Sequence, residues 1–245
     1  MKLDDVKKLH QKKYRSQFGY YLIEGEHLLL ELDKAGIDDA LRARVTVYVT
    51  ADSEKCIHQL QHQYVVKTIN QRQMAQLSGT KTPQGIIATV PLPEAHLESL
   101  TQTERCIYLH EVQDPGNLGT ILRSLAWFGQ CRLLLSPGSV DPYNAKVVRA
   151  SMGAIFHVPI EMDVTLASLS TRFGTFAYLD MQGTSISDIT FKDFDCYLFG
   201  NEARGVPFDA LQKCDAQAFT ISGSGHIDSL NLASAVTLSV YQLSL

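Results

Sequence analysis

CIYLHEVQDPGNLGTILRSLAWFGQCRLLLS, residues 106–136, decides the fold. Its ends, CIYLHEV (106–112) and CRLLLS (131–136), are apolar along most of their length, as strands covered on both faces are. Between them Leu118, Ile121, Leu122 and Leu125 recur at helical spacing. Two strands joined through a helix run parallel, because the crossover returns the chain to the edge where it began. The same beat continues outward through IFHVPI (155–160), TFAYLDM (175–181), CYLFG (196–200) and QAFTIS (217–222). Helical patterns fall at 117–128, 142–152, 164–173 and 207–213, and a last one runs from about 229 to 243. The expectation is an α/β domain with a parallel sheet, whose chemistry lies in the loops after the strands.

Residues 1–90 read as a smaller α/β domain. Helical patterns (Val6, Leu9, Tyr14, then Leu22 to Leu32) precede strand candidates VTVYVT (45–50) and YVVKTI (64–69). Asn70 is placed to cap a helix over QRQMAQL, and TPQGIIATVPLP gives a last strand that stops at Pro91 and Pro93. The division expected is 1–90, a linker over 91–104, and a second domain over 105–245.

The 245 residues are 45% hydrophobic and 20% charged, with 16 Gly and 8 Pro, which excludes disordered, collagen-like and small disulfide-stapled classes. No apolar run approaches the ~18 residues of a membrane-spanning helix. The start, MKLDDVKKLHQKKYR, lacks the apolar stretch of a signal peptide, so a cytoplasmic protein is expected. Five widely spaced cysteines with no CxxC or CxxH pattern suggest reduced thiols and no metal site. Net charge is −4 but divides unevenly: residues 1–90 hold 13 Lys and Arg against 10 Asp and Glu, residues 91–245 hold 9 against 16. Lys7, Lys8, Lys12, Lys13 and Arg15 concentrate the positive charge near the start, where it can track nucleic-acid phosphates or form a solvated helix face.

Three loops of the second half carry candidate chemistry. In HEVQDPGNLGTILRSLAWFG (110–129), Pro115 and Gly116 make a sharp turn, and Asn117 is suited to cap the following helix. Gly119, Thr120, Arg123 and Trp127 lie away from its apolar stripe, so Arg123 projects past small residues. In YLFGNEARGVP (197–207) an apolar strand ends with Glu202 held between Gly200 and Gly205. In FTISGSGHIDSLNLASAVTLSVYQ (219–242) a Gly/Ser-rich loop enters a helix at Ser229-Leu230-Asn231. A full GxGxxG is absent because Asp228 stands at the third glycine position, so a nicotinamide dehydrogenase fits poorly.

Together these loops resemble the three motifs of the SpoU (TrmH-type) RNA ribose 2'-O-methyltransferases of the SPOUT superfamily. Asn117 and Arg123, with Gly129 closing the stretch, match the first motif; Gly200, Glu202 and Gly205 match the second; Ser229, Leu230 and Asn231 match the third. Ser222 and Gly223 stand where the family usually has Pro-Met. KKLHQKKYR followed by YLIEGEHLL resembles the L30e-like substrate-binding domain often fused ahead of such domains.

The resemblance implies a trefoil-knotted catalytic domain that binds S-adenosylmethionine, modifies RNA (ribosomal in preference to transfer RNA) and forms a homodimer through its C-terminal half. It implies catalytic roles for Asn117, Arg123, Glu202, Ser229 and Asn231. It also implies a cofactor site in loops 179–183, 199–205 and 221–231, with Leu179, Asp180, Gly183, Phe199, Gly200, Asn201, Ile221, Ser229 and Leu230 contributing. The family proposal makes Arg123 a base. A phosphate clamp is chemically easier for a guanidinium, and both roles stay open. The runner-up is a non-catalytic RNA-binding protein that keeps the fold. A hydrolase is disfavoured by the lack of a GxSxG elbow.

Overall fold

The computed structural model describes residues 1–93, 101, 103–227 and 229–245. In chain order the elements are α1 (Leu3–Lys8), α2 (Lys12–Phe18), β1 (Tyr20–Glu24), α3 (Glu26–Lys34), α4 (Asp39–Arg44), β2 (Thr46–Val49), β3 (Val65–Thr68), α5 (Gln71–Leu77) and β4 (Ile86–Pro91). There follow β5 (Arg105–Leu109), α6 (Pro115–Phe128), β6 (Cys131–Leu135), α7 (Ala145–Ala150), β7 (Ile160–Glu161) and α8 (Leu166–Phe173). The last are β8 (Thr175–Ser185), β9 (Cys196–Phe199), α9 (Phe208–Leu211), β10 (Asp215–Thr220) and α10 (Leu232–Ser244). Among the described residues no helix is long and apolar enough to cross a membrane.

Two compact units result, one of Met1–Ala95 with Asp141–His157, the other of His96–Val140 with Val158–Leu245. Most of the expected linker, 94–100 and 102, lies outside the described residues.

The first unit holds a four-stranded sheet in the order β1-β4-β2-β3, antiparallel except between β2 and β3. Val6, Leu9, Leu22, Tyr48, Met74 and Ile87 form a core between it and α1 and α5. The expected helix from Leu22 to Leu32 is instead a strand and a helix. Gly25, at φ +101°, turns the chain between them, and a Cβ there would meet the Gln84 side chain at 2.4 Å. Pairing of Tyr20–Glu24 with β4 overrides the apolar run's helical spacing. Asn70 caps α5 as expected, within a reciprocal capping box with Gln73.

Segment 141–157 packs in this first unit. Tyr143 stacks on Tyr21 with ring centroids 5.0 Å apart, and Asp141 accepts from the buried Arg15. This packing explains a second departure. IFHVPI was expected as a strand, yet Ala154–Phe156 form a 3-10 turn after Gly153 and only Ile160–Glu161 pair as β7. A Cβ at Gly153 would meet Glu31 at 2.6 Å, so close approach to α3 takes precedence over strand propensity.

The second unit is built on a wholly parallel sheet in the order β10-β8-β9-β5-β6-β7. Apolar strands such as β5 and β9, whose Cys106–Leu109 and Cys196–Phe199 are buried throughout, need both faces covered. Chain order leaves β5 toward β6 on one side, while β9 pairs on the other. The strand order therefore reverses beside β5, where such sheets place ligand sites.

Candidate active site

The turn after β5 and the turn after β9 meet at that reversal. Asp114 caps α6, accepting from Asn117 N at 2.7 Å, with Pro115 opening the helix. The expectation that Asn117 is the cap is therefore corrected: it sits within the first turn, which leaves its side chain free to reach sideways. Asn117 Nδ2 donates to Glu202 Oε1 at 3.3 Å. The same carboxylate accepts from Asp114 N at 3.3 Å and Gln113 N at 3.2 Å. Glu202 thus answers donors at the start of α6, where the helix dipole also favours a negative charge.

The third motif joins the same chain of bonds. Asn231 caps α10 through Oδ1, which accepts from Ala233 N at 2.9 Å and Ser234 N at 3.3 Å. Its Nδ2 donates to Asn117 Oδ1 at 2.9 Å. Ser124 and Thr237 add a second α6-to-α10 bond of 2.6 Å. Ser229 and Leu230 are exposed, and the Ser229 hydroxyl has no partner among the described residues.

Arg123 is exposed on α6, two turns from Asn117, with no partner among the described residues. Thr120 and Trp127 share its exposed side, but Gly119 is buried, so the expected four-residue outer face loses one member. At the end of β5, burial holds His110 below its ordinary pKa, so it adds no positive charge at neutral pH.

The turn after β9 is rigid. A Cβ on Gly200 would lie 2.2 Å from the Gly205 carbonyl carbon, so the two ends of the turn touch. Asn201 exchanges two backbone bonds of 2.9 Å with Gly205. Its buried side chain accepts from Ala203 N and Arg204 N and donates to Glu111 O at 2.6 Å. The Phe199 side chain is buried and its carbonyl accepts from His110 N. At Phe199 and Asn201, therefore, only main chain is left to face a ligand, while Glu202 and Arg204 keep exposed side chains.

The first expected cofactor loop is an excursion within a strand. β8 pairs with β10 at Tyr178↔Ala218 and again at Thr184↔Phe219, so residues 179–183 bulge out between consecutive partners. Gly183 makes this possible, since a Cβ would lie 2.6 Å from the Ala218 carbonyl. Leu179 and Asp180 are half-buried on the bulge. Beyond β10, the described residues of 221–230 form no helix or strand, Ile221 is half-buried, and Gly223 and Gly225 open onto free space.

In the first unit, Lys7, Lys8, Lys12 and Lys13 are exposed, Lys8 pairing with Asp5 at 2.8 Å. Arg15 does not belong with them. It is 4% exposed, and its guanidinium is committed to Asp141 and to Leu9 O. Clustering of basic residues in the sequence grouped Arg15 with the lysines, and its partner lies 126 residues away.

Sequence reasoning missed Gln113, Glu111 and Arg204. Gln113 Nε2 donates to Glu111 O at 3.0 Å and Gly138 O at 2.8 Å, tying the turn after β5 to the one after β6. The available signal was a run of polar residues directly after a buried strand, which the helix pattern overshadowed.

Comparison with known proteins bears on this arrangement. The model of the SpoU rRNA Methylase family matches residues 104–241, and that of the MRM3-like substrate binding domain matches 2–88. The 23S rRNA (guanosine(2553)-2'-O)-methyltransferase RlmP of Bacillus subtilis is 31% identical over 250 residues, covering 99% of this chain and 95% of that protein. A TrmH-family structure from Porphyromonas gingivalis superposes with a TM-score of 0.82 at 27% identity, covering 98% of this chain and 96% of that one. The AdoMet-bound rRNA methyltransferase of Sinorhizobium meliloti shares the fold, with a TM-score of 0.81 at 24% identity and coverage of 98% and 93%.

Proposed function

We infer the activity from the premise that this chain belongs to the SpoU rRNA methylase family. It is an S-adenosylmethionine-dependent enzyme that methylates a ribose 2'-hydroxyl of RNA, with ribosomal RNA as its substrate class. The observation that carries this reading is the convergence of Glu202, Asn117 and Asn231, one from each loop, on a single hydrogen-bonded chain.

The residues present fit the cofactor. Backbone groups of the described residues 221–227 have no partner among the described residues, Gly223 and Gly225 leave room beside them, and Leu230 and Ile227 offer exposed apolar side chains. Such a loop can hydrogen-bond an adenine edge through main chain and cover its face. Leu179, Asp180 and Gly183 on the bulge, with the 199–205 turn and Ile221, would complete the enclosure. S-adenosylmethionine, when bound, supplies an electrophilic sulfonium methyl.

Arg123 faces the incoming RNA. A guanidinium donates hydrogen bonds and offers no lone pair, so it clamps a flanking phosphate and stabilises negative charge growing on the 2'-oxygen. Positioning the hydroxyl for in-line attack is the larger part of the task. Asn117, Glu202 and Asn231 hold α6, and with it Arg123, against α10 and the turn after β9. The first unit delivers RNA through Lys7, Lys8, Lys12 and Lys13.

A homodimer through α6 and α10 belongs to the same proposal. On α10, Ala233, Val236 and Val240 are buried while Leu238 and Tyr241 are exposed, as is Leu245 just beyond it, and Trp127 on α6 is 85% exposed. A second copy would cover this apolar face. We also propose the family's trefoil crossing at 221–231. Mapping ribose 2'-O-methylation in total RNA from cells with and without the protein tests the activity: a ribosomal site lost with the gene supports it, and an unchanged map overturns it.

A further inference from the structure

We propose that Arg204 is an RNA-phosphate contact of the catalytic unit, and that Glu111 holds its guanidinium until RNA replaces that carboxylate. The inference rests on the reading of this chain as an RNA methyltransferase. It starts from a shortage of positive charge. The second unit has seven Lys and Arg against fourteen Asp and Glu. Arg105 is paired with Asp195, Arg132 is buried between Glu104 and Glu161, and Arg172 is held on Glu161. The bridges of Arg132 and Arg172 end on largely buried carboxylates and are costly to break, while Arg105 and Asp195 lie at the starts of β5 and β9, the end of the sheet away from the site. Besides Arg123, the remaining cations are Lys192, Lys213 and Arg204.

Of these, Arg204 is at the site. It lies two residues after Glu202 on the closed turn that follows β9, so its backbone is fixed relative to the bonded chain through Asn117. Asn201 strengthens this, accepting from Arg204 N and donating to Glu111 O, which ties both members of the pair to one buried side chain. The side chains themselves are open. Arg204 is 68% exposed and Glu111 35%, and they meet in an ion pair through Arg204 Nη2 and Glu111 Oε2.

An exposed pair of this kind is weak and screened by salt. A backbone phosphodiester, a monoanion like the carboxylate, presents two oxygens that can accept a pair of N–H bonds from the guanidinium, where Glu111 accepts one. Exchange therefore needs only side-chain rotation. The backbone of Glu111 supports a role beyond packing: its φ is +51°, a left-handed conformation uncommon for any residue but glycine, held beside the ligand end of the sheet. Once Arg204 turns to a phosphate, Glu111 is left facing negative charge. Glu111 therefore lowers affinity for RNA in general and makes engagement depend on the other contacts being in place.

The test measures binding of the full-length protein to a 23S ribosomal RNA transcript across a salt series from about 50 to 200 mM. Arg204→Met should weaken binding and flatten the plot of log K against log salt by about one phosphate contact, ~0.7–0.9 in slope. Arg204→Lys should keep the slope. Glu111→Gln should tighten binding by about twofold to fivefold, the scale of an exposed pair, and by less in the Arg204→Met background. Thermal melting of each variant checks folding. Equal loss of melting temperature in Glu111→Gln and Arg204→Met, with wild-type RNA affinity and slope in both, would make the pair a structural strut and overturn the proposal. Salt-independent binding by the wild type would instead overturn the parent reading.

Discussion

Asn231 Nδ2 donates to Asn117 Oδ1 at 2.9 Å, and this bond fixes the direction of every other bond in the chain. Asn231 Oδ1 is occupied by the first N–H groups of α10, so only its amide nitrogen is free to face Asn117. Asn117 must then present its oxygen to Asn231 and its nitrogen to Glu202, which as a carboxylate only accepts. A helix N-terminus at one end and a carboxylate at the other leave no alternative amide orientation.

Asn117→Asp reverses one link of that chain. Two carboxylates at hydrogen-bond distance cannot both ionise, so one of them is pushed up in pKa and needs a proton to restore the bond. Methyl transfer should fall about 10- to 100-fold at neutral pH, the ~1.5–3 kcal/mol of a charged hydrogen bond. It should recover as pH drops through the raised pKa. Rates from about pH 5 to 8 would show this, and a variant equally slow across the range would contradict it.

Arg123→Ala should abolish methyl transfer while S-adenosylmethionine binding stays close to wild type, since Arg123 lies on α6 and not on the loops proposed to hold the cofactor. A residual rate above about a tenth of wild type, less than ~1.4 kcal/mol in the barrier, would remove Arg123 from the chemistry.

The basic start of the chain separates into two kinds of residue. Lys12→Ala with Lys13→Ala should weaken RNA binding and flatten its salt dependence with little change in melting temperature. Arg15→Met should do the opposite, because it strands Asp141 from its buried partner at a cost of about 3–5 kcal/mol. Salt-series binding and thermal melting of the two variants would distinguish them, and identical behaviour would refute the division.

Asp33 gives the first unit an acid limit. Burial raises its pKa, but bonds from Gln61 N, His62 and Tyr64 more than offset this, and the carboxyl is held below its ordinary value. Its contribution to stability is therefore present at neutral pH and is lost as pH falls below about 4 through the lowered pKa. Asp33→Asn should be less stable at neutral pH and show a shallower loss on acidification. Denaturant midpoints at about pH 7 and pH 3 measure both.

The exposed face of α6 and α10 predicts association. Sedimentation should find a dimer at micromolar concentration, and Leu238→Glu with Tyr241→Glu should shift it to monomer. Trp127 is the single tryptophan, so its emission should move to longer wavelength as the dimer dissociates. A monomeric wild type would sink the interface.

The sequence by itself determined the parallel α/β frame of the second half, since uninterrupted apolar strands such as Cys196–Phe199 have no other way to bury both faces. It also determined which loops hold Asn117, Arg123, Glu202 and Asn231, because turn and cap residues act locally. Tertiary structure decided what local periodicity could not express. The run from Leu22 became strand and helix because β4 pairs with its first residues. Segment 141–157 joined the first unit through Tyr143 and Asp141. Arg15 turned inward to a partner far along the chain, and the cap of α6 went to Asp114, freeing Asn117 for Glu202. Each of these outcomes depends on contacts between residues distant in sequence, and a pattern read within one window carries no information about which distant group will be there.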